Sequence, residues 1–388
     1  MLKYNRVVKM NFAKDVLPLL PEGYKQACWE TKAMRRRKGI QDEDSLLKLC
    51  LYYAYDHSLI DVKNYAYMEK IAEISDVGFM KRFNNCGEWI KWILENMMQK
   101  EIANYDKPEL LKDYRVLAID ASDISQKGAV KHYWHLHYAV NLFTLNSEMF
   151  KITTEQTGES LKNFELRPKD LVFADRAYGT ISGIEYCQQA GADFILRLRN
   201  KAFTFYDSEK NQIQLSKLLL DVDETTGKDF VVFYKGSDKK LKPIRICAIK
   251  KDEKAIMQEK KKMKRKESKR QFKFSEDTKL THNYLIVITS LDEKFTCEQI
   301  LALYRLRWQV EMVFKRYKSI INMGSMPTKT KASSEVWLNC KMLIAMLIEK
   351  LISEVDFSPC LPKSQYLEGD KDLIPFDFNM LFSYHSSF

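Results

Sequence analysis

A chain of 388 residues with 45% hydrophobic and 30% charged side chains is long enough for two or three domains and too apolar to stay disordered. Its 63 Lys and Arg against 52 Asp and Glu leave a formal charge of +11, which makes a polyanion the first partner to consider. Eight cysteines, at 28, 50, 86, 187, 247, 297, 340 and 360, form no C-x-x-C pair, which argues against a zinc ribbon. Scattered thiols, the lack of a signal-peptide pattern and the lack of an apolar run of about 18 residues point to a cytoplasmic protein with no membrane partner. The Gly-rich dinucleotide fingerprint, the P-loop and H-E-x-x-H are absent, so the chemistry lies elsewhere.

Apolar residues recur at three- and four-residue spacing from Asp44 to Met98 and predict helices. Tyr52, Tyr53, Tyr55, Tyr65 and Tyr67 enrich this stretch in aromatics, and Arg35-Arg36-Arg37-Lys38 precedes it. A DNA-reading module and a plain helical bundle fit that pattern equally. Strand-like runs follow at 115–119, 138–145 and 150–154, then a helix at 159–164, a strand at 170–174, a helix at 181–189 and a strand at 194–198. The order βββαβαβ belongs to a mixed α/β sheet rather than a doubly wound parallel one. Strand candidates at 230–234, 244–249 and 284–289 flank a run, 250–273, holding 12 Lys and Arg against 4 Asp and Glu. Such a run is a solvated loop or helix face, or a phosphate contact. Helix returns from 297 to about 321 and from 332 to 354.

Asp120 closes the apolar run Val116-Leu-Ala-Ile119, and Asp175 closes Leu171-Val-Phe-Ala174. A charged residue that ends an apolar strand is set at a sheet edge, where a site forms without burying a bare carboxylate. The helix expected over 301–318 carries Tyr304, Arg307, Glu311, Lys315 and Lys318. At 100° per residue these five fall within an arc of about 80°, a narrow stripe roughly 21 Å long on an otherwise apolar helix. Exposed i,i+4 charge pairs account for a stripe by itself. With two strand-end aspartates it suggests instead phosphodiester chemistry, in which two divalent ions activate the attacking oxygen and stabilise the leaving one. Mg²⁺, with Mn²⁺ as its substitute, suits a few carboxylates plus substrate phosphate.

At these residues the sequence resembles the DDE transposases of bacterial insertion sequences, in the insertion sequence four family. Tyr304-x2-Arg307-x3-Glu311-x6-Lys318 matches that family's Y-R-E-K signature, within Leu303-Tyr-Arg-Leu-Arg-Trp-Gln-Val-Glu311. Val116-Leu-Ala-Ile-Asp120 resembles the first-aspartate block and Leu171-Val-Phe-Ala-Asp-Arg-Ala-Tyr178 the second. His135-Leu-His-Tyr-Ala139, Gly158-Glu-Ser-Leu161, Gly191-Ala-Asp-Phe194 and Ser75-Asp-Val-Gly-Phe-Met-Lys-Arg82 extend the resemblance over residues 35–330.

The resemblance implies an RNase H-like core with Asp120, Asp175 and Glu311 as catalytic and metal-binding acids. It further implies that Tyr304, Arg307 and Lys318 hold DNA; helix geometry adds Lys315, and adjacency to Asp175 adds Arg176. Double-stranded DNA, as transposon ends and target, is then the partner, with a homodimer in the synaptic complex and association with the nucleoid on DNA. The expected domains are a helical end-binding module at 1–105, core at 106–199, a β-rich insertion at 200–291, core again at 292–331, and a C-terminal helix and tail at 332–388. Two departures stand out. Asp-Arg-Ala-Tyr replaces the usual Asp-Arg-Gly-Tyr, and no Trp occurs between Trp134 and Trp308, so the residue that some relatives insert beside a flipped base is missing from the insertion. Asp123 is the alternative to Asp120 and is expected in a turn beyond the strand. His132, His135 and His137 invite a zinc reading, but no cysteine lies near. An RNase H-like nuclease without strand transfer and a non-catalytic DNA-binding descendant are the competing functions.

Overall fold

The computed structural model describes residues 12–98, 108–126, 133–143, 147–199, 202–308, 311, 315, 322–323, 325–328 and 330–354. Its chain forms two compact units, Met1–Glu101 with Ile124–Lys131 and Lys315–Phe388, and Ile102–Asp123 with His132–Phe314.

In the first unit the three- and four-residue spacing becomes α1 (Tyr24–Glu30), α2 (Glu43–Ala54), α3 (Leu59–Met68), α4 (Asp76–Phe83) and α5 (Gly87–Met98). Their starts are set by side chains that accept from otherwise unpaired backbone N–H groups: Asp42 from Ser45, Ser58 from Asp61 in a reciprocal box, and Ser75 from Gly78. The core between them holds Trp89, Phe79, Phe83 and Leu46. Residues 331–354 add a long helix packed against α5, α2 and α4, and bring Trp337 into that core. On the same helix Lys341 is wholly buried. Its ammonium meets Asp56 at 3.1 Å and lies 4.9 Å from the centre of the Trp337 ring, the pairing a buried charge requires. Ser325–Met326 pairs in parallel with Ser125 and Gln126.

The second unit is built on one mixed sheet. Its strands are β1 (Arg115–Gln126, entering from this unit), β2 (Tyr133–Asn141), β3 (Ser147–Thr154), β4 (Asp170–Ala174), β5 (Asp193–Arg197), β6 (Phe205–Tyr206), β7 (Gln212–Ile213), β8 (Lys228–Lys235), β9 (Leu241–Lys250) and β10 (Tyr284–Thr289). They run in the order β3-β2-β1-β4-β5-β10-β9-β8-β6-β7. The pairs β1/β4 and β4/β5 are parallel, while β5/β10, β10/β9 and β9/β8 are antiparallel. Strands from the expected insertion therefore continue the same sheet. Its helices are α6 (Ile181–Gln189), α7 (Leu215–Leu218), α8 (Glu253–Arg270), α9 (Glu276–Thr281) and α10 (Cys297–Arg305).

Because successive strand residues face opposite sides, the sheet feeds two apolar layers. Val172, Ala174, Phe194, Leu196 and Ile286 pack with Ile184 and Cys187 of α6. Val116, Leu171, Phe173, Ile195 and Val287 pack on the opposite face with Ile300, Leu301 and Tyr304 of α10. At the entry to β1 and β4, Arg115 donates twice to Asp170, at 2.8 Å each, and also lies 3.3 Å from Glu148. Those bonds let Asp170, 1% exposed, sit at a strand start.

Three expected elements need correction, and one open alternative is decided. β1 does not end at Ile119 but runs to Gln126, so Asp123 lies within the strand and pairs with His135 at 2.6 Å instead of opening a turn. The alternation of Ser122, Asp123, Ile124 and Ser125 is a period-two pattern that the apolar run before it masks. The helix expected at 159–164 is only the 3₁₀ turn Leu161–Asn163. Of the alternatives for the basic run, residues 253–270 take the helical one, started by Asp252, which accepts from Ala255. The continuous helix over 301–318 is interrupted, since α10 closes at Arg305 and Leu306 and Arg307 bond back to Leu303 and Tyr304 in i→i−3 fashion. Trp308, Glu311 and Lys315 are helical beyond it.

Candidate active site

Parallel pairing sets Ile119 beside Ala174, and Ala174 beside Leu196. One residue further on, Asp120, Asp175 and Arg197 therefore follow in a row across three neighbouring strands. All three share the sheet face of Val116, Leu171, Phe173 and Ile195, the face covered by α10. Asp175 follows the carboxyl end of β4, where open α/β sheets expose unsatisfied chain ends, and Asp120 lies beside it where β1 runs on past its last pair with β4.

Asp120 accepts from the Ala121 N–H at 2.9 Å, and Asp175 meets Arg197 at 3.8 Å. The Arg307 guanidinium joins the third acid to the first: it donates to Glu311 at 2.6 Å and lies 4.0 Å from Asp120. Its planar fork presents a separate terminal nitrogen to each carboxylate in a fixed geometry. Burial pushes the Asp120 carboxyl up to about 6; Asp175 and Glu159 push the same way, against the Ala121 N–H and Arg307. Burial works against the Arg307 charge, yet Tyr304, Glu311 and Asp175 outweigh it and hold its pKa above the usual value. Burial also carries the Tyr304 phenol to about 12, opposed by Arg307 and helped by Asp175. Acids outnumber the cations that touch them.

Several polar atoms here are buried without hydrogen-bond acceptors or donors among the described residues. They are Asp175 Oδ1, the Tyr178 hydroxyl, Arg307 Nε and Arg197 Nε, and the Tyr304 hydroxyl donates to nothing. Such atoms cost free energy in a closed core and fit a site that receives a cation and an anion. Asp120 and Asp175 suit a hard divalent ion in donor type and position. Glu311 is engaged by Arg307, and among the described residues no group of three or more His, Cys, Asp or Glu converges as a metal cage.

The structure thus brings Asp120, Asp175, Tyr304, Arg307 and Glu311 into one neighbourhood. Tyr304 is buried rather than part of an exposed stripe, and Arg307 is nearly so, with 11% of its side chain exposed. Lys315 is exposed, and Lys318 lies outside the described residues. Arg176 turns to His282, its Nη1 3.4 Å from Nε2. His135 and His137 are engaged by Asp123 and by Thr153, the latter at 2.8 Å, and His132 lies outside the described residues.

Two charged neighbours escaped the sequence reading. Arg197 ends β5 as Asp175 follows β4, and the same rule of a charge closing an apolar strand would have found it. Glu159, whose pKa burial raises with help from Asp123 and Asp175, comes from the Gly158-Glu-Ser-Leu161 block and offers no local signal. Gly179 has a structural reason. A Cβ there would stand 2.4 Å from the Arg197 carbonyl oxygen, so only glycine lets the turn after Asp175 pack on β5. Ala177, by contrast, is free of left-handed backbone, so alanine is unstrained there.

The family model for the transposase DDE domain matches residues 111–347. The chain belongs to the DDE transposase family. This transposase is 25% identical over 350 residues to the putative transposase InsL for insertion sequence element IS186A of Escherichia coli K12, covering 87% of this chain and 93% of that protein. It is likewise 25% identical over 351 residues, with the same shares, to the transposase for insertion sequence element IS421 of Escherichia coli. Against the transposase for insertion sequence element IS231E of Bacillus thuringiensis subsp. finitimus, identity is 31% over 174 residues, 41% of this chain and 36% of that protein. DDE transposase domains work with a divalent metal and act on DNA. No helix among the described residues of this transposase is long and apolar enough to cross a membrane.

Proposed function

We propose that this transposase moves an insertion sequence by cut-and-paste: it hydrolyses DNA at the terminal inverted repeats and joins the freed 3' hydroxyls to target DNA. The core is RNase H-like, and Asp120, Asp175 and Glu311 are its catalytic acids. The observation that carries this reading is the row Asp120, Asp175 on adjacent parallel strands, just past their last paired residues and on the face covered by α10, with Arg307 tying Glu311 to Asp120.

In cleavage a water oxygen bonds to phosphorus, the bond from phosphorus to the 3' oxygen breaks, and that oxygen leaves with a proton. In joining, the 3' hydroxyl loses its proton, bonds to a target phosphorus, and a target 3' oxygen departs. Divalent ions held by the carboxylates, Mg²⁺ or Mn²⁺ in its stead, supply activation of the attacking oxygen and stabilisation of the leaving one. Asp120 and Asp175 hold their side of the site from the rigid sheet, which fixes their separation to the strand spacing. Tyr304 and Arg307 present the unused hydroxyl and Nε–H to phosphate oxygens, and the water-poor setting of both strengthens those bonds. Lys315 and Lys318 grip the strand beyond. The helical N-terminal region reads the repeats, the basic α8 assists, and two copies pair the ends.

Duplexes made from the DNA flanking the coding region test the reading. Mg²⁺-dependent nicking at the repeats, and joining of pre-cleaved ends to plasmid DNA, are expected. Nicking without joining identifies a nuclease; neither, with end binding intact, identifies a non-catalytic DNA-binding protein.

A further inference from the structure

Beside the acids lies a second cluster that the mechanism above does not use. Arg176 follows β4, Arg197 ends β5, Lys251 follows β9 and His282 caps α9, so four elements converge on one place. Arg176 Nη1 is 3.4 Å from His282 Nε2, and the Lys251 ammonium donates to the His282 carbonyl at 2.9 Å. The inward stripe of α8 supplies one carboxylate, Glu259, 3.6 Å from His282 Nδ1 and shared with Lys262 at 3.4 Å. Arg197 Nε and His282 Nδ1 are buried without hydrogen-bond partners among the described residues. Around this cluster α8 turns Lys260, Lys261, Lys264 and Arg265 to solvent.

Two arginines, a lysine and an imidazole thus share Glu259 and the flank of Asp175. Burial brings the Lys251 ammonium down to about 8, with Arg197 and Arg176 adding to the push against Glu259. Cations crowded until their charges are disfavoured, with open donors, want an anion that the folded chain does not provide.

We propose that Arg176, Arg197, Lys251 and His282 form a pocket for a phosphate of the DNA backbone, with Glu259 as the carboxylate that occupies it when DNA is absent. The proposal rests on the reading of the chain as a transposase that acts on DNA. DNA entry exchanges one counter-anion for another: the phosphate takes the donors, and Glu259 is left to Lys262 and solvent. Contact is to the backbone and therefore independent of sequence.

The test is binding of a fluorescein-labelled random-sequence duplex to the full chain, followed by anisotropy in EDTA over a salt series. Lys251→Gln should weaken binding roughly three- to tenfold near physiological salt and reduce the salt slope by about one, the loss of one phosphate contact. Glu259→Gln should tighten binding, and by more than Glu253→Gln, which changes net charge equally but sits at the exposed start of α8. That sign separates the pocket from a scaffold role, in which loss of Glu259 would weaken binding or leave it unchanged. Wild-type affinity and slope in folded Lys251→Gln, or equal effects of the two glutamate changes, overturn the pocket; if Lys251→Gln fails to fold, the glutamate pair decides. EDTA removes cleavage from the measurement, so a wild-type chain that binds no DNA would instead strike at the transposase reading itself.

Discussion

Arg307 donates to Glu311 at 2.6 Å while its other terminal nitrogen stands 4.0 Å from Asp120, so one guanidinium bridges two acids that strand and helix bring from 191 residues apart in the chain. It relieves the repulsion that accompanies burial of Asp120 beside Asp175 and Glu159. An arginine in that position competes with any cation for the same oxygens.

Arg307→Gln should therefore have two effects of opposite sign. Mn²⁺ binding, read by isothermal titration, tightens because the carboxylates lose their internal partner. DNA cleavage falls by about a hundredfold or more, the usual scale for deleting one preorganised donor to a reacting phosphate or carbonyl. Unchanged Mn²⁺ affinity would separate Arg307 from the acids.

Gly179→Ala forces a Cβ to within 2.4 Å of the Arg197 carbonyl oxygen, against the backbone that follows β5. The turn carrying Asp175, Arg176 and Tyr178 must shift, at a cost of about 1–3 kcal/mol in thermal or urea unfolding. Cleavage should fall further than stability alone explains, since Asp175 and Arg197 flank the clash. A variant with wild-type activity and stability would contradict the packing described.

Asp170→Ala leaves Arg115 with only Glu148 as a partner, at the start of the two strands that carry the aspartates. Removing one partner of a buried pair costs about 3–5 kcal/mol. Urea unfolding of the variant should display that loss, while the equally acidic but exposed Asp292→Ala should lie within about 0.5 kcal/mol of wild type.

His137, wholly buried beside Thr153 and Asn163, has its pKa brought down to about 4 by burial, with His135 and Lys151 adding. Between pH 6.5 and about 4 the unfolded chain binds this proton and the folded chain does not, so stability falls as pH falls through that window. The loss is at most about 3 kcal/mol. The gap between wild type and His137→Gln should narrow by that amount from pH 7 to pH 4, measured by urea unfolding; a gap constant with pH would refute it.

The two aspartates stood out because each follows an apolar run, a one-dimensional signal; that run ends the strand before Asp175, whereas β1 continues past Asp120 to Gln126. Glu311 was legible through its spacing from Tyr304 and Arg307. Angular reasoning along that helix failed at Leu306 and Arg307, where i→i−3 bonds break the 100° step with no Gly or Pro to announce it. Glu159 stayed hidden because it reaches the site through tertiary packing and not through local period. The strand runs of 200–291 do not disclose their neighbours; the pairing of β10 with β5 is what joins them to the sheet of β1 and β4.

The central claim is that Asp120, Asp175 and Glu311 act as one site that cuts DNA. Cleavage of a duplex carrying the element's own end, with Mg²⁺, should be compared for wild type, Asp120→Asn, Asp175→Asn and Glu311→Gln, with end binding in EDTA as the control. Each amide variant should lose about a thousandfold or more in rate while binding holds, and paired variants should be no worse than single ones, because the three groups work as a unit. Cleavage at the wild-type rate by any one of them would contradict the account.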